Sequence, residues 1–368
     1  MIVLCSLSSL SVTTLSARAY CRDPAPERGR DTNRSGQLDP KQTILDRCRP
    51  WRVGAGAPAV AIDVGGTSIK AALIDQSGAV VDAASHPTPP AGREAPRGVV
   101  DSIAHLLTGF RENRTDVRPE RTSVTIPGIV SEDDGIGVLS ANLGWADVDF
   151  GTLLRDTLGA TVLISHDVRA SGRAEFSLLA NTSNAVMITI GTGISAAIQV
   201  NGQLLSGRGY AGEIGLVPVT ITDDAGLTTI PLEAVSSAAS IARRYAALSG
   251  ERATGALEVI RARDAGDTTA STVWNQAVDC LAQACEQAVA LIAPETIILG
   301  GGLAEDERLG CAVAAALARR LGPLPSPEVR SAQLGFVAGL LGAGLRARCD
   351  EHPGEKPSIE LASTETRQ

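Results

Sequence analysis

The sequence predicts an α/β protein of two similar lobes facing each other across a cleft, and three observations predict it. The chain has 368 residues, enough for two lobes that each bury a core of their own. From residue 58 onward, strand-like apolar runs alternate with segments of helical spacing, the mark of layered α/β packing. The strand, glycine turn and strand of 59-AVAIDVGGTSIKAALID-75 return at 185-AVMITIGTGISAAIQVNGQLL-205, as an internal duplication would make them.

Taken in order, residues 58–64 and 70–75 read as strands around the first glycine turn and 79–88 as a third strand. Residues 95–113 read as a helix, with Val99, Ile103, Leu106, Leu107 and Phe110 along one face. A strand over 121–130 runs into a proline turn, 140-SANLGW-145 is a loop, and a helix near 150–158 precedes a strand at 160–167 and a helix at 168–180. In the second half Asn201-Gly202 supplies a tight hairpin turn. Helices are expected at 232–248, 254–264 and 270–293, then a strand at 296–302, a helix near 305–321, a strand near 329–334 and a glycine-rich helix at 335–348. The N-terminal lobe is expected over 58–167, completed by the helix 335–348, and the C-terminal lobe over 168–334. Residues 1–57, rich in Arg, Asp and Pro and without a sustained period, are expected to be a disordered extension, and 349–368 a polar tail.

Composition narrows the function. A net charge of -8 argues against a nucleic-acid surface, and no apolar run is long enough for a membrane span. The seven cysteines are scattered, with no C-x-x-C pair, which fits a reducing compartment and neither a disulfide framework nor a zinc site. The first residues imitate a signal peptide, with Ala17 and Ala19 in an A-x-A pattern, but they lack a basic leading region. A cytoplasmic protein is expected.

Three glycine turns carry the chemistry. Glycine lets successive backbone N–H groups point at one anion with no Cβ in the way. The turn at 63–70 is not a P-loop, because G-x-x-x-x-G-K-[ST] is absent and a strand follows. The turn at 191–196 matches G-x-G-x-x-A, yet it too continues as a strand, so the βαβ context of a dinucleotide site is missing. The third, 300-GGG-302, lies where a strand gives way to a helix, a common seat for a nucleotide.

These blocks resemble the ROK (repressor, open reading frame, kinase) family, whose glucokinase-like sugar kinases share the actin, hexokinase and Hsp70 superfamily. The resemblance runs from about Pro58 to Ala347. It rests on 63-DVGGTSIKAALID-75, on 126-IPGIV-130 with 140-SANLGW-145, on 166-HDVRASGRAE-175, on 190-IGTGISAAIQVNGQLLSGRGYAGEIG-215 and on 294-PETIILGGGLAE-305. It implies the two-lobed actin-like ATPase (ribonuclease H-like) fold, ATP and Mg²⁺ as cofactors, a small-molecule sugar as substrate and a homo-oligomer, commonly a dimer.

Phosphoryl transfer to a hydroxyl needs cradled phosphates, charge offset by Mg²⁺ and a base near the acceptor oxygen. Asp167, at a strand-to-helix junction, is the best base, although an Asp there also serves as a helix N-cap. Asp63 ends a buried strand, where a metal-bound water or a turn amide would satisfy its carboxylate; the resemblance makes it the Mg²⁺-side residue. Gly65, Gly66 and Thr67, with Gly191, Thr192 and Gly193 from the other lobe, would hold phosphate, and Gly300, Gly301 and Gly302 the adenosine. Lys70 ranks below the glycines. Glu213, Glu233, Asn142, Gly128, His166 and Asp167 would line the sugar site.

The chain departs from the family pattern at Leu216, where a histidine is usual, and 217-VPVTITDDAGLTTIPLEAV-235 holds no cysteine where a zinc loop is usual. Structural zinc is therefore expected to be absent. The sequence favours an ATP-dependent hexose kinase acting on a 6-hydroxyl, most often that of glucose. Two alternatives stay open: a kinase for an N-acetylhexosamine or another hexose, and a catalytically weak sugar sensor. A repressor is disfavoured because the leading residues are too short and polar for a winged helix-turn-helix.

Overall fold

The structure, a computed structural model, describes residues 39–54, 56–223, 226–348 and 358–362. The first lobe contains α1 (Pro40–Cys48), β1 (Trp51–Val53), β2 (Ala59–Val64), β3 (Ser68–Ile74), β4 (Val80–Pro87), α2 (Ala95–Asn113), β5 (Arg121–Ile126), β6 (Ile129–Ser131), β7 (Ile136–Ser140), β8 (Trp145–Asp149), α3 (Phe150–Leu158) and β9 (Val162–His166). Helix α4 (Asp167–Ser177) leads to β10 (Ala185–Ile190), β11 (Ile194–Val200), β12 (Gln203–Leu204), β13 (Pro218–Asp223), β14 (Gly226–Pro231), α5 (Leu232–Ser236), α6 (Ala238–Ser249), α7 (Ala256–Asp264) and α8 (Thr268–Ile292). The chain continues through β15 (Thr296–Gly300), α9 (Glu307–Leu321), β16 (Glu328–Ser331), α10 (Ala338–Arg348) and β17 (Ile359–Leu361).

Duplication is written in the two main sheets. Their orders are β4-β3-β2-β5-β9 and β12-β11-β10-β15-β16. In each, a glycine-turned hairpin opens the sheet and two parallel strands extend it. Parallel strands need covered faces, and helices cover them. In the first lobe α2 and α3 close one side over Ile62, Val64, Val124 and Ile164, while α1 and α10 close the other over Ala61, Ala72 and Ile74. In the second lobe, α5 to α9 bury Ile188, Ile190, Ile297 and Leu299, and α4 lays Phe176 on the opposite face with Met187 and Ala197.

Helices α4 and α10 cross between the lobes, and small residues permit the approach. A Cβ added at Gly342 of α10 would lie 1.9 Å from the carbonyl oxygen of Ala170 in α4. Any larger residue would push the pair apart.

Several expectations are corrected here. Within 1–57, α1 is a folded helix: Asp39 caps it by accepting from the Lys41 amide, and Ile44 and Cys48 are buried in it. Strand β1 pairs antiparallel with β17, so part of the expected polar tail is a strand as well. Residues 1–38, 55, 349–357 and 363–368, with Cys5, Cys21, Cys349 and the signal-like start, lie outside the described residues. The expected loop at 140–145 joins two strands of the β6-β7-β8 sheet. The expected helix 232–248 is two helices, because Ser237 caps a new one by accepting from the Ser240 amide. Strands β13 and β14 pair antiparallel, which the sequence pattern does not announce.

Candidate active site

Between the lobes lies a cleft of about 700 Å³, within the usual range for small-molecule sites. Asp63, Gly65, Asp167, Thr189, Gly300, Gly301 and Gly302 all line it. The duplicated topology does this: β2 and β9 end at the cleft from one sheet, β10 and β15 from the other.

Asp63 is nearly buried, and its carboxylate is satisfied by side chains. Its Oδ2 accepts from Lys70 Nζ at 2.8 Å and its Oδ1 from Thr125 Oγ1 at 2.7 Å. Strand pairing sets Asp63 opposite Lys70 and Thr125 on the next strand. Lys70 also donates to the Phe336 carbonyl at 2.9 Å. The protein partners of the Asp63 carboxylate are thus a lysine and a threonine, with Lys70 fixed beside it. The first turn is pinned by Thr88, whose Oγ1 donates to the Gly65 carbonyl at 2.6 Å and whose amide donates to the Thr67 carbonyl. Gly66 and Thr67 are exposed at its tip.

Asp167 opens α4, but it is not the cap. His166 caps the helix, its Nδ1 accepting from the Arg169 amide at 3.2 Å. That acceptance leaves the proton on Nε2, which stands 3.3 Å from Asp167 Oδ1. The Val168 amide donates to the same oxygen at 2.7 Å. Burial, reinforced by the charge of Arg169, pushes the His166 ring down to about 3, so it is neutral. With 3% of its surface exposed, His166 orients Asp167 from behind; it does not line the cleft. Burial first, and then the negative charge of Asp63, push the Asp167 carboxyl up to about 7 against the opposing Val168 amide. Glu213 adds to the same push. Asp167 therefore stands within electrostatic reach of both Asp63 and Glu213.

The second turn packs against a pair of carboxylates. Glu233, at the start of α5, accepts from the Ile194 amide at 2.8 Å, and a Cβ at Gly193 would lie 2.6 Å from its Oε2. Burial, and then the neighbouring Glu233 charge, raise the Glu213 carboxyl. Gly191 and Thr192 complete the turn, with Thr192 exposed. At Gly301, φ is +83° and a Cβ would lie 2.5 Å from the Ile190 carbonyl oxygen, so glycine is required where the two strand ends meet. Gly128 has φ of +103°, packed against the Leu139 carbonyl. Asn142 is exposed on the turn between β7 and β8. Leu216 ends the short turn that begins at Glu213 and is 70% exposed.

A buried network that sequence reasoning missed holds the start of α4, where Asp167 stands. Glu132 Oε1 accepts from Arg169 Nε at 2.6 Å and from the His166 amide at 3.1 Å, and its Oε2 pairs with Arg346 of α10. Burial alone would raise the Glu132 carboxyl, but the two guanidiniums outweigh it and hold it below its ordinary range. Arg169 also donates to the carbonyls of Val130 and Gly209. Glu175, at the other end of α4, accepts from the amides of Gln333 and Leu334. Glu175 stands in the quoted 166–175 block, but no spacing rule joins Glu132 to a helix 37 positions on.

The residues present fit a magnesium nucleotide. Magnesium is usually held by one or two carboxylates, with water and phosphate oxygens completing its shell, and Asp63 supplies such a carboxylate at the cleft wall. Gly66, Gly191 and Gly302 leave open space where a Cβ would stand.

The ROK family model matches residues 59–348. This chain belongs to the ROK family. Relatives within it include a protein named glucokinase from Halalkalibacterium halodurans, 28% identical over 81% of this chain and 97% of the relative. An Escherichia coli protein named N-acetylmannosamine kinase is 27% identical over 78% of this chain and 98% of its own. The crystal structure of a ROK hexokinase from Thermus thermophilus aligns at a TM-score of 0.66 and 28% identity, covering 79% of this chain and 97% of that one. The ROK chain described here has the two-lobed actin-like ATPase fold.

Proposed function

We propose that this ROK protein is an ATP-dependent hexose kinase, glucokinase-like, that moves the γ-phosphoryl group to a sugar 6-hydroxyl with Asp167 as general base. One observation carries the reading: Asp167 stands in the cleft wall with Asp63 and the Gly300–Gly302 turn, its carboxyl pushed up to about 7 by burial and the Asp63 charge. A base of that strength is matched to taking a hydroxyl proton near neutral pH. Oδ1 of Asp167 is engaged by the Val168 amide and faces His166, so Oδ2 receives the proton. Bound Mg-ATP supplies the electrophilic phosphorus and offsets charge on the transferring group. Asp63 would hold the ion through water, the turns at Gly65–Thr67 and Gly191–Gly193 the phosphates, and Gly300–Gly302 the adenosine. Glu213, Glu233, Asn142 and Gly128 would bind sugar. The 28% identity to proteins named glucokinase and ROK hexokinase supports this assignment.

A second sugar class has support of its own. Leu216 offers an exposed apolar surface three residues from Glu213, fit for the methyl of an N-acetyl group, and one relative is named N-acetylmannosamine kinase. We take the β13–β14 hairpin, cysteine-free and closed by strand pairing, to do without structural zinc. A cytoplasmic homodimer remains our expectation for the assembly.

Asp167→Asn tests the base. It should cut kcat by roughly 10²–10⁴-fold while the circular dichroism spectrum stays unchanged. A variant turning over at the wild-type rate would remove Asp167 from the mechanism.

A further inference from the structure

Helix α1 lies outside the residues matched by the family model, yet it reaches the cleft. Arg47, in its last turn, lines the cleft together with Phe336, and its guanidinium carbon stands 5.9 Å from the centre of the Phe336 ring. The same ring has the Lys70 ammonium at 5.4 Å, and Lys70 is bonded to Asp63. Contacts therefore run from Arg47 through Phe336 and Lys70 to Asp63.

Charge gives this position a use. Among the described residues lining the cleft, Asp63, Asp167, Glu305 and Glu307 are acidic, and Arg47 is the one cation. Lys70 has its charge matched by Asp63. A polyphosphate entering an acidic cleft gains from every cation on the wall, and a guanidinium suits phosphate oxygens because it presents paired donors. The Arg47 side chain rests on an aromatic face, a weaker hold than a carboxylate. Its helix is anchored: Ile44 and Cys48 are buried beneath it, and Lys41 pairs with Asp82 of β4 at 2.6 Å.

We propose that Arg47 is a nucleotide-binding residue, through which the N-terminal helix donates to the phosphates of the bound nucleotide. The inference rests on the kinase reading above for the identity of that nucleotide. Full-length Arg47→Ala should weaken Mg-ADP binding by calorimetry, and raise the KM for ATP, by roughly tenfold. kcat and the sugar KM should hold, and the effect should shrink at about 0.5 M salt. Adenosine should bind the variant as well as it binds the wild type, and Arg47→Lys should recover part of the loss. Unchanged Mg-ADP affinity in Arg47→Ala would overturn the proposal, as would an equal loss for adenosine, which would mean contact with the base. A wild type that binds no Mg-ADP would defeat both readings. A wild type that binds Mg-ADP but phosphorylates no sugar would defeat only the kinase assignment, since the Arg47 comparison is read from ADP binding.

Discussion

At the scale of the residue, the site turns on what surrounds Asp167. Its carboxyl is a third exposed to the cleft, but the protein around it and the Asp63 charge make ionisation harder. A base must be ionised to accept a proton. Since the pKa is raised, the ionised fraction grows as pH climbs through about 7, so kcat/KM for the sugar should rise across that pH and level off above it. His166, held neutral with its ring pushed down to about 3, contributes no limb of its own in that window. An acid limb near the ordinary carboxylate range would mean that Asp167 is not shifted, and the electrostatic account would fail. Asp167 was legible in the sequence from its junction between strand and helix. The division of labour beside it was not, because whether His166 or Asp167 caps α4 depends on a side-chain rotamer and not on spacing.

At the scale of the element, the pair α4 and α10 fixes the geometry between the lobes. Asp167 begins α4, Glu175 near its end holds the backbone of 333–334, and Arg346 of α10 meets Glu132. The close crossing at Gly342 is what brings these groups together. Gly342→Ala should lower stability by about 1–3 kcal/mol, because the added methyl meets the Ala170 carbonyl, and it should depress kcat by shifting α4. An unchanged urea midpoint with unchanged kcat would show that the crossing has slack. Elements with long periods were readable: α2, α8 and the two glycine hairpins stand where hydrophobic spacing puts them. Strand β6, with three residues, has too few positions to establish a period. The β1 and β17 pair joins residues about 300 positions apart, which no local pattern encodes.

At the scale of the whole molecule, the duplicated sheets and the cleft between them were legible because the glycine hairpin occurs twice with the same strand context. The contribution of α1 was not, since it has only two buried residues, Ile44 and Cys48, and gains its stability from packing on β4 and the turn at 335–337, not from its own sequence. Two lobes around one cleft favour closure on the sugar, which would exclude water from Asp167. The central claim is that this cleft moves a phosphoryl group from ATP to a hexose. The most direct measurement is a coupled assay with Mg-ATP and a panel of glucose, mannose, fructose, allose, N-acetylglucosamine and N-acetylmannosamine. We predict turnover with at least one hexose, most strongly glucose, and a 6-phosphate product. Measurable sugar binding with no turnover on any member would contradict it and make the protein a sugar sensor.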